Sequence, residues 1–225
     1  MNRDRVLHIS KLVAALLFIS CIPIFLLTSS LCWAVNDLRL YQYGFDKYQV
    51  SSETGFTSEE LTTTAKGLIN YFNSGDIDSS LSIFSEREMA HLHDVRGLIH
   101  LCYALQFATL CYIVVFIASG CIRQRLRFLQ PLCKLCLSGS VLSIALVAVV
   151  GIAALIDFDR LFMAFHRLFF TGDTFVLNGY LPVMFTEDFF ADAAEFVVIA
   201  IVVEAIILGI VTGGLLLRDR RKQLA

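Results

Sequence analysis

Residues 84–96 read FSEREMAHLHDVR, and behind them residues 98–120 read LIHLCYALQFATLCYIVVFIASG. Ser85 followed three residues later by Glu88 has the spacing of a capping box, in which a hydroxyl and a carboxylate each accept from the other's backbone N–H. A helix is therefore expected to begin here and to run through Val95, Leu98 and Leu101 into an apolar stretch long enough to cross a bilayer. On that helix His91 lies one turn beyond Glu88 and one turn before Asp94, so an imidazole flanked by acids sits where polar sequence gives way to apolar. The same pattern also serves as a plain solvated helix end, and the residues by themselves leave both readings open.

The remainder of the 225 residues places this helix in a membrane. The chain is 57% hydrophobic with a mean hydropathy of +0.71, well above the roughly 45–50% apolar content of soluble domains. Four apolar runs, 12–35, 98–120, 135–156 and 193–217, reach the about 20 residues that a helix needs to span about 30 Å of hydrocarbon. The expected fold is all-α and membrane-embedded, a single domain of four transmembrane helices. The first run is too long for the apolar stretch of a secretory signal and lacks a small-x-small cleavage site. Ser29-Ser30-Leu31-Cys32 has the outline of a lipoprotein box, but Leu31 is too large for the position before the cysteine.

Charge sets the expected orientation. Arg3, Arg5 and Lys11 precede the first run, Arg123, Arg125, Arg127 and Lys134 lie between the second and third, and Arg218, Arg220, Arg221 and Lys222 follow the fourth. The positive-inside rule puts these three segments in the cytoplasm. Residues 36–97 carry ten acidic against five basic side chains, and 157–192 six against two. Those segments are expected outside, as a small extracytoplasmic cap and an aromatic-rich outer loop, with 121–134 a cytoplasmic loop and 218–225 a cytoplasmic tail. Both termini are then expected inside.

Within the cap, 38–50 is rich in tyrosine and reads as extended or looping chain. Thr57 with Glu60 repeats the capping-box spacing, Leu61, Ala65, Leu68 and Phe72 recur at helical intervals, and Gly75 ends the pattern, which predicts a short amphipathic helix. In the last apolar run Glu204 falls near mid-membrane, where an acid normally faces protein or water. Gly209 and Gly213 form a small-xxx-small face suited to close helix packing. Cys133 and Cys136 make one isolated CxxC with no second pair, and neither outer segment contains a cysteine to form a disulfide.

The second unusual block is 157–192, with nine of the chain's nineteen phenylalanines between Phe158 and Phe190. Phe158, Phe162, Phe165 and Phe169 share a helical face, with His166 beside it. If the spans bundle with their outer ends together, His91 and His166 converge on one pocket. The phenylalanines proposed to wall it are Phe84, Phe158, Phe162, Phe165, Phe169, Phe170 and Phe175. Glu88, Asp94, Asp157 and Asp173 are the acids available to orient the imidazoles. A base near neutral pH in an apolar pocket is what acyl transfer on a lipid requires. No Gly-x-Ser-x-Gly elbow and no outer cysteine support a covalent route. His91 and His93, two apart on a helix, point about 200° apart and make a poor metal pair. No metal or cofactor is expected, and no nucleic-acid partner. The competing class is a non-enzymatic assembly subunit or a small proton-coupled transporter using Glu204.

Tyr43-Gly44-Phe45, Phe-Ser-Glu-Arg-Glu with His-x-x-Asp-Val in 84–96, and the run from Phe158 through Phe-His-x-Leu-Phe-Phe to Phe185 and Asp188-Phe189-Phe190 together resemble the bacterial lipoprotein intramolecular transacylases. The resemblance follows segment order over nearly the whole chain and departs at Phe175, Asn178-Gly179 and Thr186. It implies four transmembrane helices, an extracellular cap, and two catalytic histidines, His91 and His166. It also implies a diacylglyceryl-cysteine lipoprotein substrate, whose second acyl chain moves to the cysteine α-amino group. A monomer in contact with membrane lipid is the favoured state.

Overall fold

A computed structural model of the chain describes residues 3–170 and 177–224, and among them every regular element is helical. The four longest helices are α1 (Arg3–Asn36), α5 (Glu86–Gln124), α6 (Leu129–Ile156) and α9 (Glu187–Leu224). Shorter ones are α2 (Leu38–Lys47), α3 (Val50–Thr54), α4 (Ser58–Ser74), α7 (Phe158–Phe169) and α8 (Tyr180–Met184). Hydrocarbon offers backbone N–H and C=O groups no partners, so apolar runs of this length close their own hydrogen bonds as helices. Three helical segments, Arg5–Asn36, Glu86–Ile156 and Glu187–Asp219, are long and apolar enough to cross a membrane.

The middle segment is broken by a 3₁₀ turn at Arg125–Phe128, where Arg125 takes a positive φ of 51°. The turn folds the chain back on itself: a Cβ on Gly120 would lie 2.2 Å from the Phe128 ring. Eight residues of straight helix would instead separate these positions by about 12 Å.

The helices pack as two compact units. The first comprises Met1–Ser30, Ala104–Gly151 and Val198–Ala225. In it Phe18 lies 4.5 Å from Phe116 between ring centroids, Tyr112 donates to the Ala14 carbonyl at 2.9 Å, and Gln106 donates to Ser29 Oγ at 3.1 Å. At Gly139 helix α6 comes close to α1, where an added Cβ would meet Ile22 Cδ1 at 2.3 Å. This corrects the expectation for Gly209 and Gly213. Gly209 leaves ordinary van der Waals room beside Ser140, and Gly213 faces open space. Small residues permit close packing, but a neighbouring helix must be there to use it. Glu204 belongs to this unit, and its Oε2 is buried with no hydrogen-bond partner among the described residues.

The second unit, Leu31–Tyr103 with Ile152–Val197, has its own core of Tyr41, Phe45, Val50, Leu61, Leu68, Phe72, Leu81, Phe84, Leu92 and Met184. The stretch expected to be extended is α2, capped by Asp37, whose side chain accepts from the Arg39 amide. Tyrosine and glycine are weak helix formers, but Leu40, Tyr41, Gly44 and Phe45 recur on one buried face, and burial overrides propensity. Gly44 is glycine because the Phe189 ring occupies the space a Cβ would need, 2.2 Å away. The expected amphipathic helix is α4. It has the Thr57–Glu60 capping box in place and ends at Gly75 in the left-handed region, φ 87°.

The last carbonyls of α4 have no partner within the helix and are met from α5. Arg96 Nε donates to the Tyr71 carbonyl at 3.0 Å, and His100 Nε2 to that of Phe72 at 2.8 Å. Asn36, Asn73 and Tyr103 close a ring of hydrogen bonds at 2.7–3.1 Å around the ends of α1 and α4. The loop expected at 157–192 holds α7, α8 and the first turns of α9 among its described residues. Thr57→Ala removes the hydroxyl of the α4 capping box and is expected to lower the stability of the detergent-solubilised protein by about 1 kcal/mol in thermal unfolding; an unchanged midpoint would contradict this account of α4.

Candidate active site

His91 and His166 meet in the second unit. Their rings lie 6.0 Å apart between centroids and 17° from parallel. His91 comes from α5, whose first turn is fixed by the predicted capping box: Glu88 N–H donates to Ser85 Oγ at 3.3 Å, and Ser85 N–H to Glu88 Oε2 at 2.8 Å. His91 follows Glu88 by three residues, so it faces nearly the same side of the helix. It is 8% exposed, next to the core residue Leu92.

His166 comes from α7. Asp157 caps that helix by accepting from the Arg160 amide at 3.0 Å, and it pairs with the Arg160 guanidinium at 2.8 Å. The expected role of Asp157 beside an imidazole thus gives way to capping, since nine residues of helix put His166 about 13 Å further along the axis.

The imidazoles sit among phenylalanines. Phe162 lies 4.3 Å from the His166 ring, Phe170 lies 4.9 Å from His91 and 5.3 Å from His166, and Phe165 is 5.7 Å from His166. Phe158 stacks on Phe162 and Phe169 packs at a tilt against Phe165, which extends the aromatic strip along α7. Phe190, from the first turns of α9, packs on Phe162 at 5.4 Å. Phe84, expected in this wall, is instead buried in the core of the second unit. It precedes the helix, while His91 lies two turns into it. Asp173 and Phe175 lie outside the described residues.

His166 Nδ1 lies 2.9 Å from the Phe162 carbonyl. A carbonyl can only accept, so Nδ1 carries the proton and the lone pair of the neutral ring is on Nε2. His91 Nδ1 is buried and meets no hydrogen-bond partner among the described residues. Burial pushes the His91 imidazole below its usual range, the neighbouring His166 pushes the same way, and Asp94 opposes both. The site therefore favours a neutral His91 at neutral pH, in contact with a second imidazole.

Two further acids have defined places. Glu88, 1% exposed, accepts from Ser85 Oγ at 2.9 Å and from the Leu181 amide at 2.6 Å, in addition to its capping-box bond. Glu187 was not foreseen. It opens α9, its Oε1 is buried without a partner among the described residues, and its carboxyl is pushed up by burial and by Asp159 and Asp188, with His166 opposing. The only sequence signal was its place two residues before the Phe189-Phe190 pair. His93 is exposed, and His100 serves α4. Among the described residues no three His, Cys, Asp or Glu side chains converge as a metal would require.

Comparison with known proteins bears on this arrangement. The chain is similar to the in meso structure of the membrane integral lipoprotein intramolecular transacylase Lit from Bacillus cereus. The TM-score is 0.81 at 21% identity, over 96% of this chain and 99% of that one. Two variant structures of the Bacillus cereus protein, one with a histidine replaced by arginine and one by alanine, each match at a TM-score of 0.79 and 19% identity over 98% of this chain. At that identity the likeness speaks for the fold. No curated protein matches the sequence. The sequence model of the lipoprotein intramolecular transacylase Lit matches residues 16–190, most of the chain, and on that match the chain belongs to this family of membrane acyltransferases.

Proposed function

We propose that the chain moves the sn-2 acyl chain of a diacylglyceryl-cysteine lipoprotein to the α-amino group of the same cysteine, leaving a lyso-form lipoprotein. The observation that carries this reading is the near-parallel meeting of His91 and His166, 6.0 Å apart, among phenylalanines. The four long helices, the break at Arg125 and the basic segments support four crossings of the bacterial cytoplasmic membrane. Both termini are then inside and the histidines are at the outer face, where diacylated lipoproteins reside. No cofactor is needed, and a monomer suffices because donor and acceptor belong to one substrate molecule.

In this mechanism the substrate ammonium, with an ordinary pKa of about 7.7–8.0, first loses a proton to water. The resulting amine attacks the ester carbonyl and forms the new N–C bond. His166 takes the second proton from the attacking nitrogen through Nε2, while its Nδ1–H stays on the Phe162 carbonyl and steadies the ring. His91, kept neutral by burial, offers a ring N–H to the ester oxygen that gains charge. The bond to the glycerol oxygen then breaks, and that oxygen receives the proton held by His166. One amide and one alcohol replace one amine and one ester, so the balance closes. The aromatic strip holds the chains in the folded shape that the large cyclic transition state requires. Asp94 tunes His91, whereas Glu88 acts at one remove. Glu204 has no part in this scheme.

His91→Ala and His166→Ala, tested separately by mass analysis of the N terminus of a co-expressed diacylated lipoprotein, are each expected to cut lyso-form production by roughly 10²–10⁴. Undiminished product in both variants, or none from the parent, would remove the assignment. The acid limb supplies a second test. His91 must be neutral to start, so activity should rise with pH as it loses its proton, over a range below that of an ordinary imidazole. Asp94 favours the imidazolium, so Asp94→Asn should move the His91 titration, followed by ring NMR, further below its ordinary value of about 6.5. An upward move or no move would show that Asp94 does not act on His91.

A further inference from the structure

We infer that Glu88 is a positioning residue, a buried clamp that holds the chain returning from the His166 helix against the helix turn that carries His91. Its rate effect rests on the acyl-transfer reading above, whereas the clamp is a matter of geometry. A carboxylate that is 1% exposed has given up water, which is costly unless protein donors replace it. The donors are the Ser85 N–H and Oγ–H on Oε2 and the Leu181 N–H on Oε1. Two are local to α5. The third comes from a residue 93 positions away, at the start of α8. All three partners donate, which is the environment of an ionised acceptor rather than of a group that carries a proton through the reaction.

The segment is shaped to receive the carboxylate. A Cβ on Gly179 would lie 2.3 Å from both Glu88 oxygens, so the backbone there rests directly on the charge. The φ of Gly179, −106°, lies outside the left-handed region, and the space beside the Glu88 carboxylate leaves no room for a side chain. Beyond the contact, Leu181 and Met184 enter the core, Tyr180 packs on Phe56, and Phe185 on Tyr41 and Phe45. The clamp thus ties the first turn of α5 to the entry of α8. His91 lies on the same face of α5 as Glu88, one turn further on, so whatever loosens the clamp loosens the turn that holds His91 in its buried place.

The test is a double-mutant cycle on the full chain with Glu88→Gln and Gly179→Ala, with rates normalised to folded protein. In the glutamine variant an NH₂ must face either Leu181 N–H or the Ser85 donors. In the alanine variant a methyl displaces the carboxylate. Each single change is expected to lower kcat by about 10- to 100-fold with KM within about threefold, the effect of losing a charge-assisted bond that orients rather than binds. The double variant should be no slower than the slower single one, because both break one contact. Ring NMR supplies a readout independent of turnover: in both variants the His91 titration should move up towards the ordinary imidazole range as the turn that carries it loosens and the ring gains water. Parent-like kcat, losses that multiply, or an unmoved His91 titration would each overturn the clamp. A parent that makes no lyso-form product would overturn the transfer reading instead, and the titration would still decide the clamp.

Discussion

A charge removed from water must be met by donors, and at Glu88 that requirement joins two distant parts of the chain. Its carboxylate satisfies the first turn of α5 through Ser85 and the entry to α8 through Leu181. The local half is a common device of helix starts. The distant half is not, and it brings the entry of α8 onto the helix that bears His91. With one partner of such a bond removed, the other is left buried and unmet, which is why these contacts are stiff.

The histidine pair inherits its chemistry from this framework. Two unit charges about 6 Å apart repel by roughly 3 kcal/mol at an effective dielectric near 20, enough to disfavour two protons on the pair by about two orders of magnitude. A proton on one ring therefore disfavours a proton on the other. Burial of His91 presses in the same direction, since an apolar wall penalises its charged form. The carbonyl of Phe162 adds direction by fixing which nitrogen of His166 holds the proton.

Where local signals agreed with what the fold needed, they were legible. The capping boxes at Ser85 and Thr57, the stop at Gly75 and the apolar runs all gave helices near the expected places. Signals failed where a distant neighbour decided the matter. Residues 38–47 look like loop until the Phe189 ring is seen beside Gly44, and Phe84 looks like a pocket residue until the core of the second unit closes over it. Gly209 and Gly213 announce close packing that occurs at Gly139 instead. Asp157 was spent on the helix it caps, and Glu187 gave almost no signal because an acid at a helix start is ordinary.

The sequence by itself determined that the chain is helical and belongs in a membrane, and it singled out His91 and His166, because hydropathy, capping and charge asymmetry are written in neighbouring residues. Only the tertiary structure decided that the two imidazoles stack, which ring has its Nδ1 tied to a carbonyl, and which acids stand near them. The stacking joins residues 75 positions apart and the Glu88 contact residues 93 apart, whereas the Nδ1 bond spans a single helical turn and is set by the rotamer that packing selects. Such contacts form only once packing has fixed which faces meet, and no periodicity along the chain encodes that.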